Sequence, residues 1–169
     1  MDVKAVALLS GGLDSSLAVR VVQEQGVEVE GIHFVSVFNG SAPATPTVLR
    51  PLRVARQLGI RFHAVNFTRE QLGLVRHPAH GYGANMNPCI DCHMAMLRRA
   101  AKIMEDVGAR FIVTGEVVGQ RPMSQRRHVL GQINRETGLD GLILRPLSAK
   151  LLPPSIAEKE GWVDRERLL

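Results

Sequence analysis

Val3-Lys4-Ala5-Val6-Ala7-Leu8-Leu9-Ser10-Gly11-Gly12-Leu13-Asp14-Ser15-Ser16 is the stretch that decides the fold. Its apolar half, Val3–Leu9, reads as a buried strand. The strand runs straight into a glycine-rich turn, and the turn opens a helix. Gly11 and Gly12 lack a Cβ, so the backbone can bend sharply and come close to a ligand. The N–H groups of Asp14 to Ser16 are expected to be unpaired at the helix start. Together with the helix dipole they favour an anion. The hydroxyls of Ser10, Ser15 and Ser16 add donors. Asp14 is the odd member, because a carboxylate beside phosphates is repulsive unless it caps the helix or meets Mg²⁺. The loop has no Lys, so it is not the G-x-x-x-x-G-K-[ST] loop of ordinary ATPases and GTPases. A capped turn without a ligand is the plainer alternative. So many small polar residues and glycines at one strand end argue against it.

Outward from this stretch, strand and helix alternate. Val29–Val37, Arg61–Asn66, Arg110–Thr114 and Leu142–Leu144 read as further strands. Asp14–Gln25 reads as a helix with Leu17, Val21 and Val22 on one face, stopped by Gly26. Thr47–Leu58, Thr68–Val75, Asp91–Val107 and Ser124–Arg135 are the other helices, with Leu97, Ala100, Ala101 and Met104 facing inward. Asn39 to Pro46 is a loop, and Arg76 to Pro88 reads as an irregular, mobile one. Strands separated by helical crossovers predict an α/β fold: a three-layer α/β/α sandwich on a five-stranded parallel sheet. Ligands bind such sheets outside the carboxyl ends of the strands. Ser10–Ser16, Thr114–Gln120 and Arg145–Ser148 should meet there. Residues 1–150 form the predicted catalytic domain. Residues 151–169 read as a C-terminal extension, with a short helix through Lys159, and the end at Leu169 points to a module of a longer protein.

The chain of 169 residues is long enough for one domain with a proper core. Its 45% hydrophobic and 22% charged residues are ordinary for a soluble protein. No apolar run approaches a membrane span. Met1-Asp2-Val3-Lys4 leads straight into a strand, so no secretory signal is expected, and a cytoplasmic location follows. The formal charge of +5 permits a polyanionic partner. Arginines gather at 50, 53, 56 and 61 and again at 121, 126, 127 and 135. Aromatics are only 4%, so a stacking platform for bases is not expected.

A second constellation is Asn87-Pro88-Cys89-Ile90-Asp91-Cys92-His93, at a loop-to-helix junction. A helix N-terminus lowers a thiol pKa, so Cys89 or Cys92 is a candidate reactive thiolate. The pair is equally a candidate ligand set for zinc or an iron–sulfur cluster, with His77 and His80 near enough to complete Cys₂His₂. C-I-D-C-H also matches a c-type haem attachment string. Two buried small hydrophobes are the plain alternative.

The loop S-G-G-L-D-S-S resembles the PP-loop of N-type ATP pyrophosphatases, in the adenine nucleotide alpha-hydrolase-like (HUP) group. Those enzymes cut ATP between the α and β phosphates and adenylate a substrate. Asn87-Pro88-Cys89-x-x-Cys92 resembles the N-P-C-x-x-C segment of tRNA 2-thiouridylases. Val113-Thr114-Gly115-Glu116-Val117-Val118-Gly119-Gln120, followed by Ser124-Gln125, resembles a segment of tRNA 4-thiouridine synthetases. Leu144-Arg145-Pro146-Leu147 is similar to that family's L-R-P-L. These matches run from about Val3 to Leu147.

The resemblance implies a tRNA sulfurtransferase that adenylates a uridine, inserts sulfur, and releases AMP and pyrophosphate. Ser10, Gly11, Gly12, Ser15 and Ser16 would hold the phosphates of ATP, with Asp14 placing Mg²⁺. His33 and Phe34, at the end of the second strand, would border adenine, and Thr114 and Gly115 the α-phosphate or ribose. Arg145 would neutralise phosphate charge, or serve as a structural ion pair. Cys89 or Cys92 would deliver sulfur as persulfide or from an iron–sulfur cluster. The implied partners are tRNA, a sulfur donor protein, and a separate RNA-binding domain or chain. No cysteine follows Cys92, whereas the thiolation families generally use a later one. A cluster wants a third ligand, from a partner or from a second subunit of a homodimer. An adenylating enzyme acting on a small molecule and a non-catalytic ATP- or AMP-binding module share the same loop.

Overall fold

A computed structural model describes residues 3–39, 49–83 and 87–169. Five strands form one sheet: β1 (Lys4–Leu8), β2 (Glu28–Val35), β3 (Arg61–Asn66), β4 (Phe111–Val113) and β5 (Ile143–Leu144). Their order is β3-β2-β1-β4-β5, and every pairing is parallel. The helices are α1 (Leu13–Gln23), α2 (Leu49–Leu58), α3 (Thr68–Arg76), α4 (Cys89–Asp106), α5 (Arg127–Thr137) and the short α6 (Ile156–Lys159). The predicted α/β/α sandwich is the observed one. The predicted loop from Asn39 to Pro46 lies outside the described residues beyond Asn39, as does the start of the predicted helix at Thr47.

A parallel sheet is covered on both faces, so its strands are apolar along their length and the pleat divides them between two cores. Ala5, Ala7, Phe111 and Val113 point to one core, with Ala18, Val19 and Val22 of α1 and Ala55 of α2. Val6, Ile112 and Ile143 point to the other, with Met94, Leu97, Ala100 and Met104 of α4 and Val129 and Ile133 of α5. The inward face of α1 differs from the predicted one. Ser15, Ala18, Val19 and Val22 are buried, whereas Leu17 is 40% exposed. Small residues let α1 sit close on the sheet, and the larger Leu17 is left outside. Helix α5 starts three residues later than predicted, because Ser124 and Gln125 are buried in the turn before it. Residues 84–86 of the predicted irregular loop lie outside the described residues; through α4 the chain returns beyond β1 to β4. The sheet's switch point therefore lies between β1 and β4, where a ligand crevice is expected. Among the described residues no helix is long and apolar enough to cross a membrane.

Candidate active site

The turn after β1 closes by its own hydrogen bonds. Gly11 has φ of +78°, a conformation that favours glycine, and a Cβ there would meet the Pro51 backbone nitrogen at 2.9 Å. Gly12 caps α1 in extended geometry. The Gly12 N–H donates to Ser10 Oγ at 3.2 Å, and the Ser10 and Ser15 hydroxyls lie 3.0 Å apart. Ser16 departs from expectation. Its N–H and its hydroxyl both donate to the Gly12 carbonyl, at 3.2 and 2.7 Å. As the fourth helical residue it already has an intrahelical acceptor, so it stabilises the turn. The amides of Leu13, Asp14 and Ser15, in the first turn, have no backbone acceptor among the described residues.

The turn after β4 presses on this helix start. A Cβ on Gly115 would lie 2.5 Å from the Ser15 nitrogen and 2.7 Å from the Asp14 carbonyl carbon. The two predicted segments are thus in backbone contact, 100 residues apart in sequence. Gln120 Nε2 donates to the Asp14 carboxylate at 3.1 Å and fixes its position. Gly12, Asp14, Ser15, Thr114, Gly115 and Gln120 line a hollow of about 280 Å³. A second hollow of about 350 Å³ adjoins it and is lined by Ser10, His33, Phe34, Phe67, Cys92 and Met96, among others. Leu8, Ser10 and Arg121 border both.

His33 lies at the end of β2, with Nδ1 2.9 Å from the Leu9 carbonyl oxygen. Burial pushes its pKa below the ordinary value, which favours a neutral ring. If Nδ1–H donates to Leu9, Nε2 is left as an acceptor, and that atom is buried without a hydrogen-bond partner among the described residues. Phe34 packs edge-on against Phe67, ring centroids 5.3 Å apart. The two predicted base-side residues are therefore placed together at the second hollow.

The cysteines separate. Cys92 lines the second hollow; Cys89 lines neither. Helix position does not activate Cys92 as predicted. Burial, with a smaller contribution from Cys89, pushes its pKa up to about 11. At neutral pH it is a thiol. The Cys₂His₂ reading also fails. His80 Nδ1 is 2.7 Å from Asp91 Oδ1 and its Nε2 is 2.9 Å from Glu136 Oε2, so both ring nitrogens are occupied. Those contacts tie the loop before α4 to α4 and α5. Among the described residues no group of three or more His, Cys, Asp or Glu is placed to hold a metal ion. The cysteine pair alone does not make a cluster site.

Two residues at this site escaped the sequence reading. Glu116, 6% exposed, accepts from Thr114 Oγ1 and Arg145 Nε, both at 2.9 Å. His93 Nε2 lies 2.9 Å from its other oxygen, an ion-pair contact without hydrogen-bond alignment. Burial alone would raise the Glu116 pKa. His93, Arg145 and the Thr114 hydroxyl outweigh burial and hold it well below the usual carboxylate range. Arg145 thus forms a structural ion pair, one of its two predicted roles. It lines neither hollow at the loop, because Glu116 stands between. The T-G-E string carried the signal for Glu116; His93 was visible only as the last letter of C-I-D-C-H.

Residues 1–150 match the family described as Thiamine biosynthesis protein (ThiI). The chain belongs to the ThiI family. A probable tRNA sulfurtransferase of Staphylococcus aureus is 36% identical over 148 residues, which are 85% of this chain and 34% of that protein. A 4-thiouridine synthetase solved with RNA and bound ATP is 32% identical, with a TM-score of 0.66 over 97% of this chain and 42% of that one. An NMN synthetase of Francisella tularensis shares the fold at 12% identity and a TM-score of 0.51, covering 98% of this chain and 74% of that one. This ThiI-family chain spans about a third of the length of the curated relatives it matches.

Proposed function

We propose that this chain is the ATP-dependent catalytic core of a tRNA sulfurtransferase. The observation that carries the reading is one edge of the sheet: an anion-binding loop and the Cys92 thiol share a wall of Leu8, Ser10 and Arg121. The relatives named tRNA sulfurtransferase and the 4-thiouridine synthetase with ATP and RNA support the choice of substrates. Such an enzyme works in the cytoplasm, where tRNA is modified.

The phosphates of ATP lie in the first hollow, against the amides of Leu13 to Ser15 and the N-terminal end of α1. The base lies in the second, beside His33 and Phe34. A uridine carbonyl oxygen attacks the α-phosphorus, and the bond to the β-phosphate breaks with release of pyrophosphate. Arg121, at the junction of the hollows, offsets charge developing there. The adenylated oxygen is now a good leaving group. A terminal persulfide sulfur on a cysteine attacks the ring carbon, and AMP departs with the oxygen. Cys92 is the cysteine in reach of that site. A donor protein loads the sulfur, and a second thiol releases the product by forming a disulfide with Cys92. Asp14 is the residue that fits Mg²⁺, which when bound would neutralise charge on the pyrophosphate. The cysteine pair does not fit a cluster by itself, so no step uses one.

The test is pyrophosphate release and thiolated nucleoside formation, with ATP, tRNA and a persulfide donor. Cys92→Ser should abolish thiolation and leave ATP binding within twofold of the wild type. Pyrophosphate release stimulated by a small carboxylate and not by tRNA would overturn the proposal.

A further inference from the structure

Among the described residues, a cavity larger than either hollow at the loop lies away from it. It is a groove of about 720 Å³ between α5, the end of β5 and residues 149–159. Its lining includes Arg127, Arg135 and Lys159, and none of the three makes an ion pair among the described residues. The acidic lining residues are Asp140 and Glu158. Glu158 is already neutralised by Arg165 and hydrogen-bonded by Ser155. The groove therefore keeps an uncompensated positive charge. Arg145, 4% exposed, forms part of its wall. Its Nε is held by Glu116 and its Nη2 by Asn134 Oδ1 at 3.1 Å, whereas its Nη1 has no partner among the described residues. Nη1 is not fully buried, so it is a donor open to the groove. Gly131 lines the groove from the interior of α5, where helix propensity alone would favour another residue. The Arg135 guanidinium lies over it, 3.4 Å from where a Cβ would stand.

We propose that this groove binds the phosphate backbone of RNA, Arg145 Nη1 reaching one phosphate and Arg127, Arg135 and Lys159 the flanking ones. The inference rests on the proposed function, and adds where the RNA lies. Arg145 is bonded to Glu116, and Glu116 lines the nucleotide hollow. A strand in the groove is thus separated from ATP by a single ion pair. Positively charged side chains without partners suit a repeating anion such as this.

Fluorescence anisotropy of labelled tRNA with the full chain, over a range of salt, tests the proposal. The triple variant Arg127→Ala/Arg135→Ala/Lys159→Ala should weaken binding at least tenfold. It should make the slope of log K against log salt shallower by about 2. Gly131→Glu puts a carboxylate in the groove at a helical position where glycine is a poor helix former. It should lose RNA affinity to a similar degree, with the Tm retained. ATP affinity should be unchanged in both. If the wild type binds tRNA and both variants match it in affinity and slope, the groove assignment falls and the proposed function stands. If the wild type does not bind tRNA at all, both fall. Competition by polyglutamate equal to that by tRNA would assign the groove to an acidic protein and overturn the proposal.

Discussion

Gly115 has no room for a side chain, because the contact it makes is with backbone. A Cβ 2.5 Å from the Ser15 nitrogen must push the β4 turn and the phosphate loop apart by close to 1 Å. Misplacement of about 1 Å costs roughly a hundredfold in rate. Gly115→Ala should therefore lower kcat/KM for ATP by roughly a hundredfold while the far-ultraviolet dichroism stays native. Unchanged kinetics would show that the two turns move independently. Cys92 makes a second prediction at this scale. Its pKa of about 11, against an ordinary 9.0, lowers the thiolate fraction at pH 7.5 by about a hundredfold. The greater nucleophilicity of a more basic thiolate restores about tenfold of that. In a Cys89→Ser background, Cys92 should react with iodoacetamide about tenfold more slowly in the folded than in the unfolded protein. The gap should close above pH 11. Equal rates at pH 7.5 would mean that Cys92 is not held as a thiol.

The elements at the site are held together by one carboxylate. Glu116, just past β4, contacts His93 on α4 and Arg145 just past β5. Removing it leaves a buried guanidinium unpaired, which costs about 3–5 kcal/mol. Glu116→Gln should lower the stability by that order in urea titrations. The sign of the pH dependence follows from the lowered pKa of Glu116. Its contribution is complete above the unfolded value near 4.5 and is lost as pH falls below it. The variant should therefore lose less stability than the wild type between pH 6 and pH 3. This triad also marks the limit of what the sequence discloses. The strands were legible as apolar runs, and the phosphate loop as a dense local motif. Glu116 and His93 are brought together only by tertiary structure, and no periodicity joins them. The inward face of α1 was misjudged for a related reason. Hydrophobicity favours Leu17, but close packing of helix on sheet selects Ser15 and Ala18.

Across the whole molecule, the two edges of the sheet divide the work. The loop, both hollows and Glu116 lie at the carboxyl edge. In the C-terminal segment, residues 160–162 close the other edge, while the end of the chain returns to the carboxyl edge, where the Leu169 N–H donates to the Pro146 carbonyl oxygen at 2.9 Å. Val163 and Leu168 are buried in the first core, and Arg167 donates to the Glu24 carbonyl oxygen at 2.9 Å. Trp162 stacks on Phe111, centroids 6.1 Å apart at 20°, and Arg110 lies 5.9 Å from the centre of its ring. Arg110 immediately precedes β4, so this contact is at the amino edge. Trp162 is half-buried, so Trp162→Ala should cost less than a fully buried tryptophan, about 2–3 kcal/mol. For a chain of this length that lowers the Tm by roughly 4–12 °C. ATP affinity, measured well below the new Tm, should stay within twofold. A fall in ATP affinity in parallel with stability would show that the edges are coupled. The segment would then belong to the catalytic machinery rather than to its support. The chain's single tryptophan also gives an optical readout of the segment in the wild type. Its emission should be unmoved when ATP fills the opposite edge.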